Sequence, residues 1–173
     1  YIYDELTYQI AKKASDELIA KITACGSVST NTPSVNVAVA QVSGNLTLGT
    51  VAQALGELSD QATDPVVIMN KKTFASMKAL QYASSYGADP FEGLPVLFSN
   101  KLTAYSAATT GVPYMIVGDL GEGALMNLPE GDSIKIIKDE ITLATQDLVK
   151  ITGKQLVGSA VVGPNAFAVC AKA

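Results

Sequence analysis

Apolar side chains fall on three different periods along the chain. From residue 2 to 24 they recur every fourth position, at Ile2, Leu6, Ile10, Ala14, Leu18 and Ile22. Lys12, Lys13, Asp16, Glu17 and Lys21 take the opposite face. That spacing predicts one amphipathic helix, a rod about 35 Å long at the usual rise, with a Glu17–Lys21 ion pair one turn apart and a stop at Gly26. Val35, Val37 and Val39 alternate, which predicts a short strand after the polar loop 26–34. Leu48, Val51, Leu55 and Leu58 predict a second helix capped by Asn45 or Thr47. Val66 to Met69 is a four-residue apolar run of the kind that lies inside a sheet covered on both faces. Asn70 then caps a third helix that turns Phe74, Met77 and Leu80 inward.

Residues 87–100, GADPFEGLPVLFSN, join a small-residue loop to a strand at 95–99, and Tyr114 to Val117 form another buried strand. Beyond Gly118 the texture becomes a meander. Residues 124–126, 133–138 and 148–162 read as strands broken by Gly, Pro and Asp turns, with room for a bulge at Ile136-Ile137. Pro164-Asn165 turns into a last strand, 166–170. Helices and strands are mixed, and the tail is antiparallel: an α+β chain.

Composition narrows the chemistry. The chain has 173 residues, 48% apolar and 16% charged, a globular balance with a net charge of −4. It holds no His and no Trp, and all twelve basic residues are Lys. Without His the commonest general base and metal ligand is missing. Without Arg, forked recognition of phosphate or guanine is missing too. Sequence-specific nucleic-acid binding is not expected of an acidic chain, because phosphate neutralisation supplies most of that affinity. No apolar run is long enough to cross a bilayer, and no signal peptide opens the chain. The first residue is Tyr1 rather than Met, which predicts a piece of a longer protein. Cys25 and Cys170 read as small hydrophobes in a reducing compartment, although a disulfide is open to them.

Candidate catalytic groups are few. Asp119, Glu122, Glu130 and Asp132 cluster in a Gly-rich stretch, and a small metal-dependent hydrolase would use Asp119, Glu122 and Glu130. Their spacing fits no calcium loop, and turn acids are usually solvated. Gly118, Gly121 and Gly123 lack the G-x-G-x-x-G spacing of a phosphate loop. Asn45-Leu46-Thr47 is a glycosylation sequon without a secretory context. Lys71-Lys72 opens a helix, where positive charge is mildly unfavourable, and is read as a solvated face. No cofactor and no metal is expected.

Four segments carry a resemblance. VVIMNKKTFASMKAL looks like a strand–Asn–helix unit, FEGLPVLFSN like a loop with a G-x-P-V strand, YMIVGDLGEGALM like a strand with a Gly-Asp crossing, and LVGSAVVGPNAFAVC like a closing strand, Pro turn and final strand. In this order they resemble the major capsid proteins of tailed bacteriophages and prophages, the HK97-like capsid fold. The resemblance implies a long spine helix, a peripheral antiparallel sheet and a mixed α/β axial domain. Residues 1–28 and 119–157 would be peripheral, and 29–118 and 158–173 axial. Ser84, Ser85, Tyr86, Gly87, Ala88 and Asp89 would form the loop at the axis of a ring of subunits, where small residues fit crowded backbones and Gly87 supplies unusual dihedrals.

The implied function is a structural subunit of an icosahedral shell, self-assembling into pentamers and hexamers that enclose DNA, and not an enzyme. Its partners would be copies of itself, with scaffolding and portal proteins. Its place would be the virion, after assembly in the bacterial host cytoplasm. The flexible N-terminal arm and extended loop of the family are absent from this sequence, which predicts poor assembly of this piece alone. Some relatives crosslink through Lys, Asn and Glu; here the Asn and Glu positions fall on Asp147 and Lys154, which argues against self-crosslinking. An encapsulin-type compartment shell shares the fold and is the near alternative.

Overall fold

The computed structural model describes residues 1–25, 38–84, 87–129, 134–139 and 149–173. The rod is present as helix α1, Ile2–Ala24. Its apolar stripe is not evenly buried. Ile22 and Ile19 are inside, Leu6, Ile10, Ala14 and Leu18 are half-buried, and Ile2 is 62% exposed. Only the C-terminal half therefore lies on the main core; burying Ile19 and Ile22 contributes about 1.5–3 kcal/mol each. Lys21 does not pair with Glu17. Its ammonium donates instead to the Ser159 carbonyl, a bond across 138 positions that ties the rod to the C-terminal region.

Five strands make the main sheet: β1 (Ala40–Ser43), β2 (Val66–Met69), β3 (Val96–Phe98), β4 (Pro113–Gly118) and β9 (Phe167–Ala171). Their order is β1-β9-β4-β2-β3. The outer pairs β1–β9 and β2–β3 are parallel, and the inner pairs β9–β4 and β4–β2 are antiparallel. Both faces are covered, as the apolar run 66–69 predicts. On one face α2 (Thr50–Gly56) and α3 (Lys71–Ser84) bring Val51, Ala54 and Met77 against Val67, Met69, Val117 and Ala168. On the other, Ile19 and Ile22 of α1 meet Ile68, Ile116, Phe167 and Val169. A register shift in β4 between Pro113 and Met115 places Tyr114 and Met115 in the same core. Tyr114 donates its hydroxyl to the Gly44 carbonyl at 3.4 Å, and its ring meets Tyr105 edge to face.

The rest of the chain forms two antiparallel ribbons. β5 (Ala124–Asn127) pairs with β8 (Gly158–Val161), and β6 (Lys135–Asp139) with β7 (Lys150–Lys154). A single-turn helix, α4 (Leu120–Gly123), joins β4 to β5. α1 lies along both ribbons. Gly153 of β7 sits where Leu6 and Ile10 press closest: a side chain there would lie 2.6 Å from Ile10 Cδ1.

Several local expectations are corrected. Of the strand expected at Val35, Val37 and Val39, residues 35 and 37 lie outside the described residues, as does the stop at Gly26; Val39 is buried, and a strand runs from 40 to 43. Neither Asn45 nor Thr47 caps α2. Gly49 stands at its N-cap, and the buried Thr50 hydroxyl accepts the Thr47 N–H at 2.8 Å. No bulge interrupts β6, which pairs residue for residue with β7 from 135 to 139. Asn70 caps α3 as expected, its side-chain oxygen accepting the Lys72 N–H at 3.0 Å.

Candidate functional site

The candidate surface is the loop between α3 and β3. Of the six residues singled out, Ser84, Gly87, Ala88 and Asp89 are exposed, and Ser85 and Tyr86 lie outside the described residues. The loop is anchored just behind its exposed tip. Asp89 accepts the Gly93 N–H at 2.9 Å and the Phe91 N–H at 3.3 Å. Gln81 of α3 donates its side-chain amide to the Ala88 carbonyl. Phe91 is buried and stacks on Phe74, with centroids 5.0 Å apart and planes 7° from parallel. The Lys78 ammonium stands 5.1 Å above the Phe91 ring and also donates to Gln81 Oε1. A carboxylate that gathers two amides and an aromatic plug fix where the tip stands.

Gly87 does not play the expected part. Its φ is not left-handed, and a side chain there would meet open space. The left-handed residues of this loop are Glu92 (φ 52°) and Gly93 (φ 75°), five and six positions later, where the chain turns back toward β3. Glycine is needed at the re-entry of the loop and not at its tip.

The acidic cluster is not assembled into a site among the described residues. Asp119 is 6% exposed and caps α4, accepting the Gly121 N–H at 2.8 Å and the Glu122 N–H at 3.3 Å. Its second oxygen accepts the Asp64 N–H at 3.1 Å. These amides, that of Asp64 foremost, hold its carboxyl below the usual carboxylate range against the opposing effect of burial. Its oxygens are occupied by the fold. Glu122 is exposed, and Glu130 and Asp132 lie outside the described residues. No group of three metal-ligating side chains occurs among the described residues. Gly123 follows a packing need, since a side chain there would run into the Phe167 ring.

Both cysteines are free thiols. Cys170 is fully buried, and burial pushes its thiol up to about 12; Cys25 is partly exposed, and burial raises it as well. Lys71 does not simply face solvent: its ammonium lies 5.7 Å from the centroid of the Phe98 ring. No described helix is long and apolar enough to cross a membrane. Asp147 lies outside the described residues, and Lys154 closes β7 in an exposed position.

This architecture recurs in solved shells. The capsid of a native GTA particle computed with C5 symmetry superposes with a TM-score of 0.75 at 15% identity, over 99% of this chain and 70% of that one. The capsid of the empty GTA particle gives 0.74 at 15% identity, over 99% and 65%. Gordonia phage Cozz gives 0.62 at 16% identity, over 99% and 62%. The chain thus spans roughly two thirds of the length of these relatives. At such identities the likeness is one of fold, HK97-like and α+β. No curated protein matches the sequence. The sequence profile of the phage capsid family, in contrast, matches residues 1–171, and on that near-complete match the chain belongs to the phage capsid family.

Proposed function

We propose that this chain is the folded body of a structural subunit of an icosahedral phage or prophage capsid, which self-assembles into pentamers and hexamers that enclose DNA. The observation that carries the reading is the family match over residues 1–171, on a fold whose rod runs along both ribbons and ends on a five-stranded core. The C5 symmetry of the GTA capsids supports five-fold rings of copies. Its work is contact and not turnover. Each lateral contact is modest, but every subunit makes several, and closure multiplies their effect.

Within that reading, residues 1–28 and 119–157 act as the peripheral part, and 29–118 with 158–173 as the axial part. Residues 158–161 stand at the border, because β8 pairs with β5 while β9 enters the main sheet. The loop Ser84–Asp89 faces the ring axis. Its exposed tip and buried anchor at Phe91 support that placement. Scaffolding and portal proteins are the further partners, and the bacterial cytoplasm is the place of assembly.

The test is electron microscopy of the full-length protein after expression in bacteria. Closed particles with five-fold vertices are expected. Persistent monomers, under conditions where the protein is folded by circular dichroism, overturn the reading.

A further inference from the structure

The two edges of the main sheet are built differently. At β1 the exposed side chains are Gln41 and Ser43, both polar. At β3 they are Leu97, 44% exposed, and Phe98, 49% exposed. The β3 backbone is also half used. Val67 N–H donates to the Pro95 carbonyl and Ser99 N–H to the Met69 carbonyl, so the odd-numbered residues 95, 97 and 99 turn their groups toward β2. In a parallel ladder the even-numbered residues then turn theirs outward. Val96 and Phe98 have no backbone partner among the described residues. Two N–H and two C=O groups face away from the sheet. Natural edges are usually blunted by polar or charged side chains, and β3 carries apolar ones.

A groove of about 800 Å³ opens beside this edge, between β3 and α1. Leu97 pairs with Ile68 and shares its face, the one that looks toward α1. Phe98 pairs with Met69 on the other face, edge-on to Phe74 and under the Lys71 ammonium. The charged residues that line the groove are Lys12, Asp16 and Lys71, and Asp16 is placed 3.5 Å from the Ser99 hydroxyl. The balance is positive in a chain whose net charge is −4.

We propose that β3 is a strand-addition site: it takes an extended segment of a partner protein that presents apolar side chains to Leu97 and α1 on one face and a carboxylate to Lys71 on the other. The backbone pairs with Val96 and Phe98 supply affinity without regard to sequence. The alternation of side chains supplies selectivity, because successive residues of the added strand fall on opposite faces. This inference rests on the capsid reading only for the partner's setting, not for the chemistry.

The test is amide hydrogen exchange on the soluble, unassembled protein with capped probe peptides. One is Ac-Thr-Val-Asp-Val-Thr-amide; the second replaces its Asp with Lys; the third carries N-methyl groups on the alternate amides that would pair. With the first peptide the Val96 and Phe98 amides are expected to slow by about tenfold or more at saturation, a local change within the range native-state exchange resolves. The second should protect weakly and the third not at all. Lys71→Glu, at an exposed helix start where an acid is favoured, keeps the fold and should reverse the preference between the Asp and Lys peptides. Equal protection by all three peptides, or none by the first, overturns the proposal. Protection that rises with protein concentration and without peptide also overturns it, since that would mean β3 pairs with a second copy. Particle formation by the full-length protein is scored separately, so failure here leaves the shell reading standing.

Discussion

The Asp119 carboxylate accepts the Asp64 N–H at 3.1 Å and thereby joins the approach to β2 with the exit from β4. The same carboxylate caps the one turn that starts the first ribbon. One buried acid thus fixes where the sheet ends and the ribbons begin.

Replacing Asp119 by Ala should cost about 2 kcal/mol, the loss of a cap plus stranded amides, read as a lower midpoint in urea unfolding. The sign of the pH effect follows from the lowered pKa. Stability contributed by Asp119 is fully present above the ordinary value of 3.8 and is lost as the pH falls from there through its depressed folded value. Asp119→Asn should flatten that part of the acid limb while keeping part of the cap. An unchanged acid limb in Asp119→Asn would remove this account.

Gly153→Val should lift the rod off the second ribbon, because Leu6 and Ile10 occupy the space a side chain needs. Backbone amides of β6 and β7 should then exchange faster, while those of β4 and β9 keep their protection. The overall cost should be about 1–3 kcal/mol, in the range of overpacking.

The two thiols should separate cleanly in reactivity. An aromatic disulfide reagent at pH 8 should label Cys25 in the native protein. Cys170 is fully buried, with its thiol raised to about 12, and should be labelled only after global unfolding. Reaction of both at equal rates in native buffer would contradict the central position of β9.

Asp89→Ala should release the Phe91 and Gly93 amides and loosen the tip of the loop between α3 and β3. A stability loss of about 1 kcal/mol is expected, with a larger effect on ring formation than on folding. Gly87→Ala should be nearly silent in stability, since a Cβ there meets nothing within 4 Å. A Gly87→Ala defect confined to particle yield would support crowding at the axis.

The parts of this molecule that could be read from the chain are those where one face dominates. The 66–69 run, the Asn70 cap and the rod follow from local spacing alone, because burial on both faces or one leaves an unambiguous period. What escaped depends on partners distant in sequence. Lys21 gives up Glu17 for a carbonyl 138 positions away. Thr50, not Asn45 or Thr47, supplies the buried hydroxyl at the start of α2. Asp119 reads as a solvated turn acid until Asp64 is seen to donate to it. At the loop, small residues pointed to Gly87, whereas the strain sits at Glu92 and Gly93, which only the return toward β3 demands.

The position of β9 carries a consequence for synthesis. Residues 167–171 lie between β1 and β4, whose strands are made as many as 128 residues earlier in the case of Ala40. On a ribosome, the first four strands of the sheet wait with a slot open along its middle. The backbone groups along that slot stay unpaired until β9 follows, so the sheet closes in one late step.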